Sequence, residues 1–220
     1  PGGYVMGSSG RQVGVRYQQG ENRDLIQVDW DGNIVWQFSQ HELVEEPGAK
    51  PAWTARWHHD FQREGNPVGY YVPGMDPLLD RGNTLLLCHQ NLRNPAISDK
   101  PLLDGNIIEV TWDGKIIWEW LCSDHFEEMG FSEEAKYAMA RNPNLGKAIS
   151  DVSQGPSRPA QAGDWVHMNS ISYLGPNKWY DVGDQRFHPD NIIWDGRQTN
   201  HIAIIDKKTS KLVWQVGPDY

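Results

Sequence analysis

The sequence has 220 residues, a mass of 25.1 kDa and a formal charge of −9, from 20 lysines and arginines against 29 aspartates and glutamates. Its 38% hydrophobic residues exclude a disordered chain, and no apolar run approaches the ~20 residues that a membrane-spanning helix needs. Because binding to phosphate backbones needs clustered lysine and arginine, the absence of any basic tract argues against nucleic acid as a partner.

The two cysteines, Cys88 and Cys122, are too few for a disulfide framework, and we expect two buried thiols in preference to a single bridge. No targeting peptide is visible at Pro1-Gly2-Gly3, and one that was removed or lies upstream stays an open alternative. Eleven tryptophans and 22 glycines favour an all-β protein of repeated hairpins over a helical bundle.

One hairpin pattern occurs three times, closely matched in 25–38 and 107–120 and more loosely in 202–216. Each copy has two alternating strands around a short turn. Asp31-Gly32 and Asp113-Gly114 predict two-residue type I′ loops, which need positive φ at both positions. Each copy closes on a tryptophan: Trp36, Trp118 and Trp214. Their spacing is about twice the ~40–45 residues of a propeller blade, so further strands are expected between the copies.

Four further strand candidates fill the gaps between the hairpins: 56–61, 83–89, 166–174 and 191–194. A helix with Ser132 as its N-cap precedes a polar stretch rich in proline and glycine. Units of four strands in series, the first without its opening strand, predict a β-propeller. A β-sandwich or a set of unrelated hairpins are the alternatives.

We therefore predict an all-β fold: a single β-propeller-like domain or fragment over 1–220, with about three four-stranded blades and one short inserted helix. Long inserts are expected at about 67–81 and 124–163. Closed propellers have about four to eight blades, so the sequence favours a piece of a longer polypeptide. The alternatives are a homo-oligomer that completes the propeller and edges protected in another way.

The eight histidines are the most informative polar residues. His58 and His59 lie on the predicted opening strand of the second unit, where side chains alternate, so only one of them can face a central channel. In the equivalent strand of the third unit, His167 and Asn169 are two apart and are expected to point the same way. Histidines at matching positions in successive blades predict a shared site at the channel mouth. The alternative is that each is a core residue bonded to a backbone carbonyl.

Arg197 lies between two predicted strands of the third unit, and its fork of five donors suits a sulfate, phosphate or carboxylate. The alternative is a surface arginine paired with Asp195 or Asp190. Arg93 follows a strand end and is a further candidate for the same mouth. Two other histidines are expected to be structural: His188 and His201.

Known metal and phosphate motifs, such as Cys-x-x-Cys, His-Glu-x-x-His and the glycine-rich phosphate loop, are absent from the sequence. A histidine metal site is conceivable, but the spacing of its ligands is not diagnostic: His58, His59, His167 and His188. No metal site and no cofactor are therefore predicted.

Four sequence features together resemble the arylsulfotransferase (aryl-sulfate sulfotransferase) family: His58-His59-Asp60, the block 164–171, Arg197 and the closing hairpin 204–214. The resemblance runs from about Gly2 to the end, and the Asp-Trp-x-His-x-Asn-Ser block is its most specific part. It implies a β-propeller, typically six-bladed, that moves a sulfuryl group from a phenolic sulfate ester to another phenol without a nucleotide donor.

The resemblance also implies roles for individual residues. His167 and Asn169 match the family's His-x-Asn pair near the sulfuryl group, Arg197 matches the arginine on the sulfuryl oxygens, and His59 or His58 matches a histidine of an earlier blade. A further family histidine, transiently sulfurylated, lies downstream of the block matching 214–217, in sequence that the 220 residues do not include. The implied partners are a small aromatic sulfate donor and a phenolic acceptor. A periplasmic or extracellular location is also implied.

The expected mechanism follows from charge. Arg197, His167 and His59 stabilise the sulfuryl oxygens, a protonated histidine assists the leaving phenolate, and a histidine nucleophile gives ping-pong kinetics. His58, Asn169 and Arg93 are expected to bind substrate. Two tryptophans either face an aromatic acceptor or pack between blades, and the sequence favours packing: Trp57 and Trp165.

Two functions of other classes compete with sulfuryl transfer. A non-catalytic propeller fragment or binding module would bind a ligand without turnover. A propeller polysaccharide lyase, or a hydrolase, would act on an acidic glycan. In the lyase, histidine and arginine would neutralise a uronate and abstract a proton, so that the unsaturated product absorbs in the ultraviolet.

Overall fold

The computed structural model of the chain describes residues 4–8, 22–45, 50–65, 78–144 and 162–217. The chain forms two compact units, the first of Pro1–His89 with Ile107–Glu119 and the second of Gln90–Asn106 with Trp120–Tyr220. Most of the predicted insert at 67–81, and the 145–161 part of the insert at 124–163, lie outside the described residues. The single propeller-like domain stays a prediction.

The all-β prediction is confirmed, because strands dominate the described residues and the helices among them are short. The strands are β1 (Tyr4–Ser8), β2 (Leu25–Asp29), β3 (Ile34–Phe38), β4 (Glu42–Val44), β5 (Ala52–Thr54), β6 (Trp57–Arg63), β7 (Thr84–Leu92), β8 (Leu102–Val110), β9 (Ile116–Leu121), β10 (Gly163–Asp164), β11 (Met168–Tyr173), β12 (Ile192–Gly196), β13 (His201–Asp206) and β14 (Lys211–Val216). The α-helices are α1 (Glu133–Arg141) and α2 (Lys178–Asp181), and the 3₁₀ turns are Cys122–His125 and Gln185–Phe187.

The four-stranded unit predicted for the end of the sequence is present as a sheet of order β11-β12-β13-β14, with every neighbouring pair antiparallel. This meander is the architecture of a propeller blade. Strand β12 buries alternate residues, Ile192, Trp194 and Gly196, so one face of the strand is fully covered. Strand β12 lies between the loop that follows β11 and the loop that precedes β13, and these loops lie at opposite ends of the strand.

The second sheet has the order β10-β8-β7-β6, and β9 pairs with β8 as well. All nine residues of β8 are buried, as expected for a strand with neighbours on both sides. Strand β10 was not predicted, because two residues are too few to show a period. It runs parallel to the start of β8, with Gly163 opposite Leu102 and Asp164 opposite Leu103.

The first sheet has three strands in the order β1-β2-β3. Three strands are the number predicted for a first unit that lacks its opening strand. Strands β4 and β5 form a separate pair. The type I′ prediction for the hairpin turns was wrong. Gly32 and Gly114 have φ of 85° and 80°, whereas the aspartate before each glycine does not have positive φ. Each glycine instead follows a tight turn: the N–H of Gly32 donates to the carbonyl of Asp29 at 3.1 Å.

Side-chain bonds explain the form of the first turn. A carboxylate oxygen of Asp29 accepts the main-chain N–H groups of Asp31 and Asn33 at 3.0 and 2.9 Å. Such an Asx turn holds the residues after Asp29 in right-handed backbone and leaves only the glycine to reverse the chain. The residue that determines the type of this turn is therefore Asp29, and not the Asp31-Gly32 pair.

Each unit has an apolar core of its own. The first contains a cluster of buried residues: Leu25, Trp36, Phe38, Ala55, Trp57, Leu86, Cys88, Ile108 and Val110. The second buries three tryptophans almost completely: Trp120, Trp165 and Trp194. Both cysteines are buried free thiols, as predicted. The predicted N-cap is also present, because Ser132 Oγ accepts the N–H of Ala135 at 3.2 Å.

Candidate functional site

His167 lies one residue before β11 and has a left-handed backbone, with φ of 49°. The strand argument that His167 and Asn169 point the same way was therefore wrong. His167 is outside the strand, and the pairing of β11 with β12 shifts register between Met168 and Ser170. Non-glycine residues in this conformation are uncommon and concentrate at functional sites.

The imidazole of His167 is paired with a carboxylate that sequence reasoning did not single out. Nδ1 of His167 contacts Oδ2 of Asp164, and both side chains are mostly buried, with 13% and 22% of their surface exposed. A carboxylate on one ring nitrogen fixes the tautomer and the orientation of the ring. The sequence did contain a signal for this pair, because Asp164 and His167 are three residues apart and a tight turn can bring such residues together.

Arg197 begins the turn between β12 and β13, and this turn is hydrogen-bonded to the loop that carries His167. The N–H of Arg197 donates to the carbonyl of His167 at 3.0 Å, and the N–H of Gln198 donates to the carbonyl of Val166 at 2.9 Å. The structure thus brings His167 and Arg197 together through their main chains, as the shared-site prediction requires within this unit.

The guanidinium of Arg197 has neither of the ion-pair partners considered as alternatives. Its side chain is exposed and makes no hydrogen bond or salt bridge within the part of the chain that the structure describes. Asp195 instead accepts the hydroxyl of Ser170 at 2.6 Å. Asp190 lies 3.8 Å from Nδ1 of His188. The five donors of Arg197 are therefore available to an external anion.

The second unit contains two other candidates, Asn169 and Arg93. Asn169 is half-buried at the register shift of β11. Arg93 is exposed in the loop after β7, and its Nη1 donates to the carbonyl of Asp99 at 3.2 Å, within the same loop. The predicted substrate-binding roles of Asn169 and Arg93 stay predictions.

The first unit contains the remaining two histidine candidates, both on β6. His58 is buried and stacks on His89, with ring centres 3.5 Å apart, whereas His59 is exposed. His59 has φ of 56° and lies where β6 and β7 shift register, between Trp57 and Phe61. Of the pair, His59 is the one that faces solvent.

His59 and His167 share a local pattern. Each follows a buried tryptophan by two residues, and each has the left-handed backbone that few side chains adopt. The indole N–H of Trp57 donates to the carbonyl of Asp24 at 2.7 Å, and that of Trp165 donates to Oδ1 of Asp104 at 2.9 Å. Both tryptophans are buried in the core and not exposed to an acceptor, whereas packing between blades stays a prediction.

Comparison with known proteins places the chain in one family. The model of the family described as Arylsulfotransferase (ASST) matches residues 77–220, about two thirds of the chain. The chain belongs to the arylsulfotransferase family. The matched range includes four of the candidate site residues: Arg93, His167, Asn169 and Arg197. No curated protein matches the chain.

Within the described part of this family member, no three histidine, cysteine, aspartate or glutamate side chains are grouped as a metal ion would require. No described helix is long and apolar enough to cross a membrane. His201 is buried and stacks on Trp194 at 5.8 Å, which agrees with the structural role expected for it. Burial lowers the pKa of His201, although a hydrogen bond with Gln215 opposes this effect.

A cavity of about 520 Å³ lies near the opposite end of β12 from Arg197. Its lining is mixed in charge: Tyr180, Gln185, His188, Asp190, Asn191, Asp206, Lys207 and Lys208. The loops after β11 and β13 form this cavity, whereas the candidate site is built from the loops before β11 and after β12. Because β12 has five residues, at ~3.3 Å each, the two ends are well separated.

Proposed function

We propose that the protein transfers a sulfuryl group from a phenolic sulfate ester to another phenol, through a histidine intermediate and without the nucleotide donor PAPS. The observation that carries this proposal is the hydrogen bond between the Arg197 turn and His167, whose ring is paired with Asp164. The family supports the aryl sulfate class. Histidine catalysis and independence from PAPS are part of the proposal.

Arg197 binds the sulfuryl oxygens in this proposal. The planar fork of a guanidinium donates two parallel hydrogen bonds to a tetrahedral oxyanion, which a lysine cannot do. The chain carries a charge of −9 and repels anions over long distances. A local cation that has no ion-pair partner in the described part of the chain therefore supports sulfate ester binding at this loop.

His167 carries the proton between the two phenols. In the first step a histidine nitrogen attacks the sulfur, the bond from sulfur to the donor oxygen breaks, and Nε2 of His167 gives its proton to that oxygen. In the second step the acceptor phenol gives its proton back to Nε2, its oxygen attacks the sulfur, and the sulfur–nitrogen bond breaks. Asp164 holds Nδ1 throughout and balances the charge of the imidazolium.

The nucleophile is the histidine that the family pattern places downstream of the block matching 214–217. His59 contributes a second donor to the sulfuryl oxygens, and Asn169 donates its amide to the same group. Arg93 contacts the remainder of the donor or acceptor. The assignments of His59 and Asn169 follow the family pattern, and that of Arg93 follows from its place just after a strand end. The exposure and left-handed backbone of His59 support its assignment.

The test is the release of 4-nitrophenolate from its sulfate ester by the purified protein, expressed from its complete reading frame, with and without phenol. Release that depends on phenol, with parallel lines in double-reciprocal plots, is expected for the two-step route. His167→Ala lowers kcat by about 10²–10³-fold, in the range for a lost acid–base group or oxyanion donor. His188→Ala, in the same unit but beside the cavity, serves as the matched control and leaves kcat unchanged.

Three outcomes would overturn the proposal. Binding of the sulfate ester without turnover would favour the binding module. Release of ultraviolet-absorbing products from an acidic glycan, without transfer to phenol, would favour the lyase. Equal loss of transfer in His167→Ala and His188→Ala would remove the special role of His167.

A further inference from the structure

The start of β8 runs alongside the loop that carries His167. Gly163 pairs with Leu102, and Asp164 pairs with Leu103. The N–H of Gly163 also donates to the carbonyl of Pro101 at 2.7 Å. This parallel pairing brings the next two residues of β8 close to the residues that flank His167.

Asp104 contacts the residue two before His167 and is fully buried. Its Oδ1 accepts the indole N–H of Trp165 at 2.9 Å, and its Oδ2 accepts the main-chain N–H of Ser123 at 3.0 Å. Burial raises the pKa of Asp104 to about 6, and the charge of Asp124 adds to this effect, while the hydrogen bonds oppose it. A carboxylate in the core is costly, so a neutral residue would suit stability better at this position.

Gly105 contacts the residue after His167. A Cβ atom at this position would overlap Sδ of Met168 and lie 3.0 Å from its Cγ. The missing side chain is therefore what lets Met168, which is fully buried, lie directly on β8. Two consecutive residues of β8 thus hold the loop on both sides of His167.

We propose that Asp104 and Gly105 are positioning residues for His167: they hold Trp165 and Met168 against β8, so that the Asp164–His167 pair is preformed before substrate binds. The catalytic consequence rests on the proposed function, whereas the positioning of the ring does not. A site whose neighbours are fixed by packing and buried hydrogen bonds loses little free energy in organising for the reaction.

The first experiment compares Trp165→Phe with Trp194→Phe. Phenylalanine keeps an aromatic ring at position 165 but removes the N–H that Asp104 accepts. Trp194 is an equally buried tryptophan of the same unit, and its Nε1 has no hydrogen-bond partner among the described residues. Both variants lose packing, but only Trp165→Phe releases the loop.

The measurement is the ¹⁵N chemical shift of His167 Nδ1 in the substrate-free protein, together with kcat for transfer to phenol. We expect Trp165→Phe to change the shift and to lower kcat about 10-fold with KM little changed, as for the loss of an outer-shell contact. Trp194→Phe keeps the shift and kcat of the wild type. Gly105→Ala behaves like Trp165→Phe. Its control is Gly7→Ala, at a strand glycine whose added Cβ would have no atom of the structurally described ranges within 4 Å.

An unchanged His167 shift in both Trp165→Phe and Gly105→Ala would overturn the proposal, and so would equal changes in Trp165→Phe and Trp194→Phe. A wild-type protein without transfer activity would instead contradict the proposed function. In that case the chemical shift still decides whether Asp104 and Gly105 position the ring.

Discussion

The main-chain N–H of Arg197 donates to the carbonyl oxygen of His167 at 3.0 Å, so the two residues are joined without using either side chain. A substitution of the guanidinium or the imidazole therefore leaves this hydrogen bond in place. The effects of such substitutions report on chemistry more than on loop structure. The loop itself can be disturbed separately through its other supports.

Gly217 is one such support. It has φ of 86°, and a Cβ atom there would overlap the carbonyl oxygen of Asn200, at the end of the Arg197 turn. We expect Gly217→Ala to destabilise the protein by about 2–4 kcal/mol, because it combines backbone strain with a clash against main chain. KM for the sulfate ester should also rise as the turn moves.

The control for this prediction is Gly183→Ala. Gly183 has φ of 100°, but no atom of the described residues lies within 4 Å of the added Cβ. It carries the same kind of backbone strain without the clash, so only about 1 kcal/mol should be lost. Urea unfolding measures both values, and equal losses would show that Gly217 does not support the turn.

Asp164 is predicted to matter through His167 alone. Asp164→Asn removes the charge that holds Nδ1 and permits the other tautomer, so kcat should fall by about 10–100-fold with little change in stability. Asp190→Asn is the matched control, because Asp190 lies 3.8 Å from another histidine, His188. The measurement is the steady-state kcat of both variants with 4-nitrophenyl sulfate. An unchanged kcat in Asp164→Asn would contradict a catalytic role for the Asp164–His167 pair.

Asp104 makes stability depend on pH in an unusual direction. Its folded-state pKa of about 6 exceeds the ordinary value of 3.8, so the folded protein binds more protons than the unfolded chain between these values. Its contribution is therefore fully present below about pH 4 and is lost as the pH rises through 6, by roughly 3 kcal/mol in total. Urea unfolding of wild type and Asp104→Asn from pH 4 to 7 measures this difference.

The groups nearest to Asp104 do not share this behaviour. Burial and the charge of Asp104 raise the pKa of the Cys122 thiol well above its ordinary range, so this thiol stays neutral from pH 4 to 7. A difference between wild type and Asp104→Asn that stayed constant with pH would contradict the expectation.

His201 acts in the opposite direction. Burial lowers its pKa below the ordinary value of 6.5, so the stability that it contributes is present above pH 6.5 and is lost as the pH falls through its folded-state pKa. His201→Phe should lose less stability than wild type on acidification. Thermal unfolding of wild type and His201→Phe from pH 8 to pH 5 tests this, and equal losses in the two proteins would contradict it.

The strands of the fold were predictable from the sequence wherever the hairpin pattern is repeated. The three hairpins each closed on a tryptophan, and the flanking strands followed from apolar alternation, which depends on local sequence alone. Strand β10 was not predictable, since its two residues acquire their conformation from pairing with Leu102 and Leu103. The first hairpin turn was misjudged because the carboxylate of Asp29, outside the Asp-Gly pair, determines its form. In the second turn the hydroxyl of Thr111, at the matching position, accepts the main-chain N–H of Lys115.

The candidate site was predictable only in part. Residue types and resemblance indicated His167 and Arg197, and their loops do meet in the structure. The pairing of His167 with Asp164 was missed because it depends on a left-handed residue, and no sequence period reveals positive φ at a histidine. The contact of Asp104 with Trp165 was also missed, because the sequence alone does not show whether an aspartate is buried or exposed.

The left-handed backbone at His59 and His167 has a consequence for protein engineering. A side chain in this conformation costs roughly 1 kcal/mol relative to glycine, so glycine at either position would relax the backbone while removing the imidazole. A library selected only for heat resistance should accumulate such replacements first. Thermostable variants of this protein would then need to be screened for turnover at every round.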